Sequence, residues 1–226
     1  MKDTNKFKAG VLCVLLWGGA ACTSQPKEVA GNRGMSATPT PESKAAAITA
    51  SANPLDDLTR TTRAMLDAKS YRARMESSFE GTNRTTTFEF AAPDRYHIDN
   101  GGFEMLIVGA QTFQKPPGGR WQKFPVNMSE MISAFRDPKL LEEIRKSTDV
   151  KFLGPETLDG MPMLTYRYKQ DKAFGTNIKS DSKIWVSAAD GLPRRMEVEG
   201  EMNSKKTKTV ITYSDFNGEV KIEPPM

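Results

Sequence analysis

The chain has 226 residues, with 32 Lys and Arg against 28 Asp and Glu, one His and two Cys. This length fits about one domain, and the Cys count excludes both a disulfide-rich scaffold and a four-thiolate metal site. A single His excludes sites built from two or three imidazoles and disfavours a histidine-based catalytic triad. A formal charge of +4 is too small to predict nucleic-acid binding. We therefore expect no cofactor, no metal site, no catalytic residues and no nucleic-acid partner.

The amino terminus has the pattern of a secretory signal. Lys2, Lys6 and Lys8 precede an uncharged stretch of 13 residues, Ala9–Ala21. A basic segment followed by an apolar segment of this length is typical of a signal peptide and is short for a membrane span.

Small residues stand directly before Cys22 in the sequence GAAC over residues 19–22. This pattern resembles the bacterial lipobox, although Gly19 stands where the lipobox has Leu. The resemblance implies that 1–21 is a lipoprotein signal peptide and that Cys22 carries acyl chains of the palmitate type. An ordinary signal peptide cleaved nearby, with Cys22 incidental, is the alternative. Removal of 1–21 takes away three Lys and one Asp, so the net charge falls to about +2.

Residues 22–52 predict a flexible tether that follows the lipidated Cys. They are rich in Ser, Thr, Ala and Pro and carry almost no large apolar side chain. Such a segment cannot bury enough surface to offset the entropy of ordering it. We expect the folded domain to cover 53–226.

The domain pattern begins with a helix and continues with strands. Asn53 is a helix cap before Pro54, and the apolar spacing predicts a helix from Pro54 to Ala68. A turn is expected at residues 81–83. Period-two alternation and turn signals then predict about twelve antiparallel strands, over residues 71–79, 84–90, 95–99, 103–108, 111–115, 120–124, 150–157, 163–169, 183–187, 194–199, 207–213 and 219–222.

A second helical region interrupts the strands. Asn127 and Glu130 form a capping-box pattern, and apolar side chains follow at helical spacing. Pro138 ends this helix and opens another over 138–146. Two short helices on a long antiparallel meander predict a mainly β (α+β) fold. The expected architecture is one curved antiparallel sheet that forms a barrel or half-barrel, with an amino-terminal helix and a short helical plug or lid.

Short runs in the predicted hairpins resemble those of LolA-like and LppX/LprG-like bacterial envelope proteins. The resemblance covers roughly residues 54–226 and implies that the β-barrel is unclosed, with an apolar cavity for acyl chains. LppX/LprG-like members are lipoproteins, which agrees with a lipidated Cys22. The runs that carry the resemblance are Asp94–Tyr96, Gly109–Phe113, Gly119–Lys123, Ile184–Val186, Gly191–Arg195 and Thr212–Phe216.

Large apolar side chains on the predicted inner faces are the candidates for lining this cavity. The physical alternative is that each of them fills a dry core. The candidates are Phe79, Phe88, Phe90, Met105, Ile107, Met131, Phe135, Tyr166 and Ile184.

Other motifs predict structure more readily than chemistry. His97 alternates with apolar neighbours and is expected at an exposed or rim position. Asp56 and Asp57 fit the first turn of a helix through its dipole. The basic residues of 194–195 and 205–208 are expected on a solvated strand face, or alternatively to attract anionic lipid headgroups.

These observations predict a non-enzymatic lipoprotein of the cell envelope. We expect it to bind or carry acyl lipid, or the acyl chains of lipoproteins, in an apolar cavity. An RseB-like sensor that acts through an envelope protein partner, with no role in lipid transport, is the alternative. The predicted location is the membrane surface, reached through the lipid anchor. In a Gram-negative host Thr23 after Cys22 favours the periplasmic face of the outer membrane.

Overall fold

The computed structural model describes residues 47–133, 148–170, 179–202 and 205–225. A compact unit begins at Ala47. The expected signal peptide, the lipidation site Cys22, Phe135 and the expected helix over 138–146 lie outside the described residues, as does most of the expected tether.

Helix α1 (Pro54–Asp67) forms where the cap and the apolar spacing predict it. The Asn53 side chain accepts a hydrogen bond from the Leu55 backbone N–H at 3.2 Å, and Pro54 opens the first turn. An Asn cap satisfies an amide that has no partner within the helix, and Pro tolerates this position because its own N–H would be unpaired there.

Eleven strands of the described chain form one antiparallel sheet, in the order β6-β5-β4-β3-β2-β1-β11-β10-β9-β8-β7. The sheet is not closed, and β6 and β7 are its two ends. The strands are β1 (Ser70–Phe79), β2 (Thr82–Ala91), β3 (Arg95–Asp99), β4 (Glu104–Val108), β5 (Gln111–Lys115), β6 (Gln122–Phe124), β7 (Thr148–Leu158), β8 (Met161–Gln170), β9 (Lys179–Ser187), β10 (Pro193–Met202) and β11 (Lys205–Ser214). The predicted fold class is therefore confirmed.

The turn between β1 and β2 lies earlier than the sequence predicts. Glu80 (φ 49°) and Gly81 (φ 78°) form it, so that Thr82 pairs with Phe79 at the end of the ladder. Two consecutive positive φ angles match the twist of a two-residue hairpin. The Gly at the second position adopts this conformation without steric cost.

The prediction of a twelfth strand over 219–222 is wrong. This segment makes no ladder. Instead Ile222 is buried and its carbonyl oxygen accepts a hydrogen bond from the Arg95 guanidinium at 2.8 Å. A side-chain donor therefore replaces the neighbouring strand that the alternating pattern implied.

Two groups of buried apolar side chains form the core, one on each half of the sheet. The first lies on β1 to β4, and Met65 of helix α1 packs against it. The second lies on β8 and β9 and includes Leu58 of the same helix. Helix α1 therefore contacts both halves of the sheet and defines its inner face.

Helix α2 (Ser129–Ser133) is short, and it packs against the first core group. The Met128 backbone N–H donates to the hydroxyl of Thr112 on β5 at 3.1 Å. Met128 and Ile132 pack against the buried side chains of β1 to β4.

Candidate functional site

A continuous row of apolar side chains crosses the inner face between the two core groups. Strand register places its members opposite one another, from β1 across β11, β10, β9 and β8 to the end strand β7. We name this the apolar row; its residues are Met75, Ile211, Met196, Ile184, Tyr166 and Phe152.

The three members of the apolar row on β1, β11 and β10 are less enclosed than the two members beside them on β9 and β8. Tyr166 and Ile184 are buried in the second core group. Met75, Ile211 and Met196 are only half-buried, as is Val198 two residues farther along β10. These four residues form the central strip. An apolar surface of this kind favours contact with hydrocarbon, at roughly 25 cal/mol per Å² buried.

The next row along the strands is more polar. Ser77 of β1 lies opposite Thr209 of β11, and their hydroxyl oxygens are 3.1 Å apart. Across β10 the row continues through Val198 to Ser182 of β9. The inner face thus changes from hydrocarbon to hydroxyl groups within two residues along β1, β11 and β9, whereas β10 keeps an apolar side chain, Val198, in this row.

Aromatic rings bound the central strip on its other side. The Tyr71 ring lies within 5.4–6.3 Å, centroid to centroid, of four other rings. Burial raises the pKa of Tyr213 above its ordinary value, so its phenol stays neutral. The rings around Tyr71 are those of Phe88, Phe90, Tyr213 and Phe216.

A buried carboxylate fixes helix α1 to the sheet. Asp57 is 4 % exposed and accepts hydrogen bonds from the Tyr166 hydroxyl and the Ser51 backbone N–H, both at 2.9 Å. Arg60 forms an ion pair with the same carboxylate. Burial, and then the bond to Asp57, raise the pKa of Tyr166. The helix dipole explains the position of Asp57 in the first turn, but the sequence did not show that it is buried.

The last residues of the expected tether pack against the domain, at the second core group. The Ile48 backbone N–H donates to the Ala188 carbonyl at 2.6 Å, and the Ile48 side chain packs against the second core group. Residues from 48 onward therefore contact the domain, whereas composition alone placed them in the tether.

The candidate cavity residues fall into two separate groups. Phe90, Met105 and Ile107 are buried in the first core group, and Phe88 packs against it. Tyr166 and Ile184 belong to the second group, on the other side of β1, β11 and β10. Phe79 is half-buried at the far end of β1, with the Lys205 ammonium 5.6 Å from its ring centroid. The Met131 side chain and Phe135 lie outside the described residues.

The central strip contains none of these candidates. All four residues of the central strip belong to strands that alternation predicts, so the sequence indicated which face of the sheet each side chain occupies. Their proximity depends on the pairing of β1 with β11, which lie far apart in the chain, and alternation does not predict that pairing.

The opposite, outer face carries a ladder of charged side chains. His97 lies between two carboxylates, with Nδ1 3.1 Å from Glu89 and Nε2 3.1 Å from Glu104. Arg72 donates to Glu89 at 2.7 Å, and Lys115 to Glu104 at 2.8 Å. His97 is therefore half-buried in this ladder rather than fully exposed.

The ladder changes the acidity of its carboxyl groups. The hydrogen bond from Lys115 holds the pKa of Glu104 below its ordinary value, against the effect of burial. Burial alone raises the pKa of Glu89, but the bonds from Arg72 and His97 outweigh it, so this pKa is lowered as well. Both groups are therefore charged at neutral pH.

The predicted basic cluster is largely neutralised by nearby acids. Arg195 pairs with Glu197 at 2.8 Å, and Lys208 with Glu199 at 3.6 Å. Arg194 pairs with Asp190, and Lys205 with Glu80. The lysines at 205, 206 and 208 are exposed, whereas Arg194 and Arg195 are half-buried, so only part of the cluster is solvated.

In the part of the chain that the structure describes, no group of three or more His, Cys, Asp or Glu side chains could hold a metal ion. No helix there is long and apolar enough to cross a membrane.

Two solved structures from mycobacteria are similar to this chain. The lipoprotein LppX of Mycobacterium tuberculosis matches with a TM-score of 0.53 and 13% identity, over 75% of this chain and 97% of that one. LprF of Mycobacterium bovis matches with a TM-score of 0.54 and 13% identity, over 76% and 96%. No protein-family model and no curated protein sequence matches the chain. The chain therefore has an LppX-like fold, as the resemblance of its hairpin runs to LppX/LprG-like proteins predicted.

Proposed function

We propose that this protein is a non-enzymatic cell-envelope lipoprotein, anchored through Cys22, that binds acyl chains on the inner face of its sheet. The ligand is an acyl lipid or the acyl part of a lipoprotein. The central strip is the observation that carries this proposal, because it presents half-buried hydrocarbon from β1, β10 and β11 between two well-packed core groups.

Side-chain type supports a hydrocarbon ligand. Met75 and Met196 have unbranched, polarisable side chains that adapt to ligands of varied shape. Each CH₂ group of a bound chain contributes about 0.8 kcal/mol on burial. A ligand with several such groups therefore gains enough free energy to offset the cost of ordering it.

The test is analysis of non-covalent lipid on the full chain, purified from host membranes in mild detergent. Organic extraction and mass spectrometry are expected to release acyl lipid in near-stoichiometric amount. The variant Ile211→Gln places an amide in the central strip, and we expect it to lose most of this lipid.

Val210→Gln is the matched control, because Val210 is the half-buried neighbour of Ile211 on the outer face of the same strand. This variant should retain the lipid, and circular dichroism should show both variants folded. Wild-type protein without lipid, or equal lipid in both variants, would contradict the proposal. A folded, empty chain that specifically binds an envelope protein would favour the sensor function instead.

A further inference from the structure

Exposed apolar side chains occur along the β7 edge of the sheet, where Phe152 lies opposite Tyr166 and Met161 lies opposite Leu158, five pairs farther along the same ladder. The described residues have four exposed large apolar side chains, and three of them lie on β7 or at the start of β8. Phe152 is 37 %, Leu153 48 % and Met161 43 % exposed. We name these three residues the apolar corner; the fourth, Val126, follows β6.

The apolar corner is continuous with the apolar row of the inner face. Phe152 is the last member of that row, and its ring centroid is 5.3 Å from that of Tyr166. From Phe152 the row leads through Tyr166 and Ile184 to the central strip. The corner is therefore an edge at which hydrocarbon outside the protein meets hydrocarbon on its inner face.

The chain enters the fold beside Met161, at one end of this edge. The Ile48 N–H donates to the Ala188 carbonyl, and the Ala188 N–H donates at 3.1 Å to the carbonyl of Pro162, the neighbour of Met161. The 25 residues from Cys22 to Ala46 precede this point. Twenty-five residues can reach at most about 80–90 Å, so a lipid anchor at Cys22 would tether the domain to the bilayer through this end of the sheet.

Local chain geometry disfavours a partner strand at this edge. Register shifts between Phe152 and Gly154, so Leu153 is an extra residue in a bulge. Gly154 has a φ of 118°, and Pro155 has no N–H to donate. Bulges and prolines on edge strands prevent pairing with another strand. This exposed apolar surface is therefore better suited to contact with lipid than to pairing with a strand of another protein.

The cations around the corner are partly paired with acids. Arg167 and Lys169 share the carboxylate of Asp181, and Lys183 pairs with Glu156. Three cations thus face two carboxylates, so contact with a membrane would depend mainly on insertion of apolar side chains, with a smaller contribution from attraction to anionic headgroups.

From these observations we infer that the apolar corner docks on the surface of the lipid bilayer and is the entry point for the acyl ligand. This inference rests on the proposed function for the ligand, whereas the docking itself can be tested separately. Leu153 and Met161 would insert into the interface, and an acyl chain would pass over Phe152 onto the apolar row.

Docking is tested with the full lipidated chain in phosphatidylcholine vesicles, labelled with an environment-sensitive fluorophore at Leu153→Cys. The control carries the label at Asn83→Cys, an exposed site beside the turn between β1 and β2. We expect emission at position 153 to shift to the blue and to be quenched by spin-labelled lipid, and position 83 to remain in water. A water-exposed label at 153 would overturn the inference. So would a label that is already shielded before vesicles are added, which would indicate a protein partner.

Entry is tested by the transfer of a fluorescent fatty acid from vesicles. The double variant Leu153→Ser, Met161→Ser should load at least about tenfold more slowly, because two apolar contacts with the membrane are lost. Its equilibrium affinity for the same probe in solution should be unchanged. Val126→Ser is the control and should load like the wild type. Equal loading by the double variant would contradict the role in entry. Wild type that docks but binds no probe from either source would contradict the proposed function while supporting docking.

Discussion

At the scale of single residues, the buried carboxylate of Asp57 links helix α1 to β8. Its partner Tyr166 is 1 % exposed and donates at 2.9 Å. Tyr166→Phe removes the donor and leaves a buried charge with fewer hydrogen bonds, so we expect the free energy of unfolding to fall by about 1–3 kcal/mol. Denaturant titration measures this loss.

Tyr168 provides the control for that substitution. It lies on the same face of β8, and its hydroxyl donates to the Met196 sulfur at 3.2 Å, a weak acceptor. Tyr168→Phe should therefore cost clearly less than Tyr166→Phe. A larger loss of unfolding free energy in the Tyr168 variant would contradict the claim that the hydrogen bond from Tyr166 to Asp57 stabilises the fold.

The outer-face ladder predicts a dependence of stability on acid. The pKa of Glu104 lies below its ordinary value of 4.5 in the folded chain. Its ionised form therefore stabilises the fold at neutral pH, and this contribution is lost as the pH falls below about 4.5 and through the folded pKa. In Glu104→Gln the decrease in unfolding free energy between about pH 5 and pH 3 should be smaller than in the wild type.

Urea titrations at several pH values measure this difference. Glu223→Gln, at an exposed carboxylate outside the ladder, should follow the wild-type curve. Identical curves for the wild type and the Glu104 variant would exclude a role for this group in acid sensitivity.

At the scale of secondary-structure elements, helix α1 matters because it contacts both core groups. Asn53→Ala removes its cap and should lower the free energy of unfolding by about 1 kcal/mol. Asn53→Ser should restore most of that loss, because a hydroxyl oxygen caps the same amide without placing a second carboxylate beside Asp56, which accepts a hydrogen bond from the Asn53 side-chain amide at 2.9 Å. Thermal unfolding followed by circular dichroism compares the variants. Equal losses for Ala and Ser would show that the cap does not stabilise this helix.

Individual elements were largely predictable from local sequence. Strands β3 and β5 have the predicted bounds, and helix α1 ends within one residue of its predicted end. Failures arose where a distant partner decides the conformation. The segment 219–222 has the alternating pattern of a strand. Its Ile222 carbonyl, however, accepts a hydrogen bond from the Arg95 side chain instead of from a neighbouring strand.

At the scale of the whole molecule, the single antiparallel sheet was predictable because the meander and its turns are local signals, whereas its openness was implied only by the family resemblance. The central strip was not, because it depends on β1 pairing with β11. That pairing brings Met75 beside Ile211. The same reason applies to Asp57, whose partner Tyr166 is 109 residues away in sequence. Alternation indicates which face a side chain occupies, but not which strands lie beside it.

Photo-crosslinking tests the central claim that this inner face binds an acyl chain. The full chain is incubated with a fatty acid that carries a diazirine on its chain, irradiated, digested and sequenced by mass spectrometry. We predict adducts on the peptides that contain Met75, Met196 and Ile211, and competition by unlabelled fatty acid. Absence of adducts, or adducts confined to outer-face residues, would contradict the account.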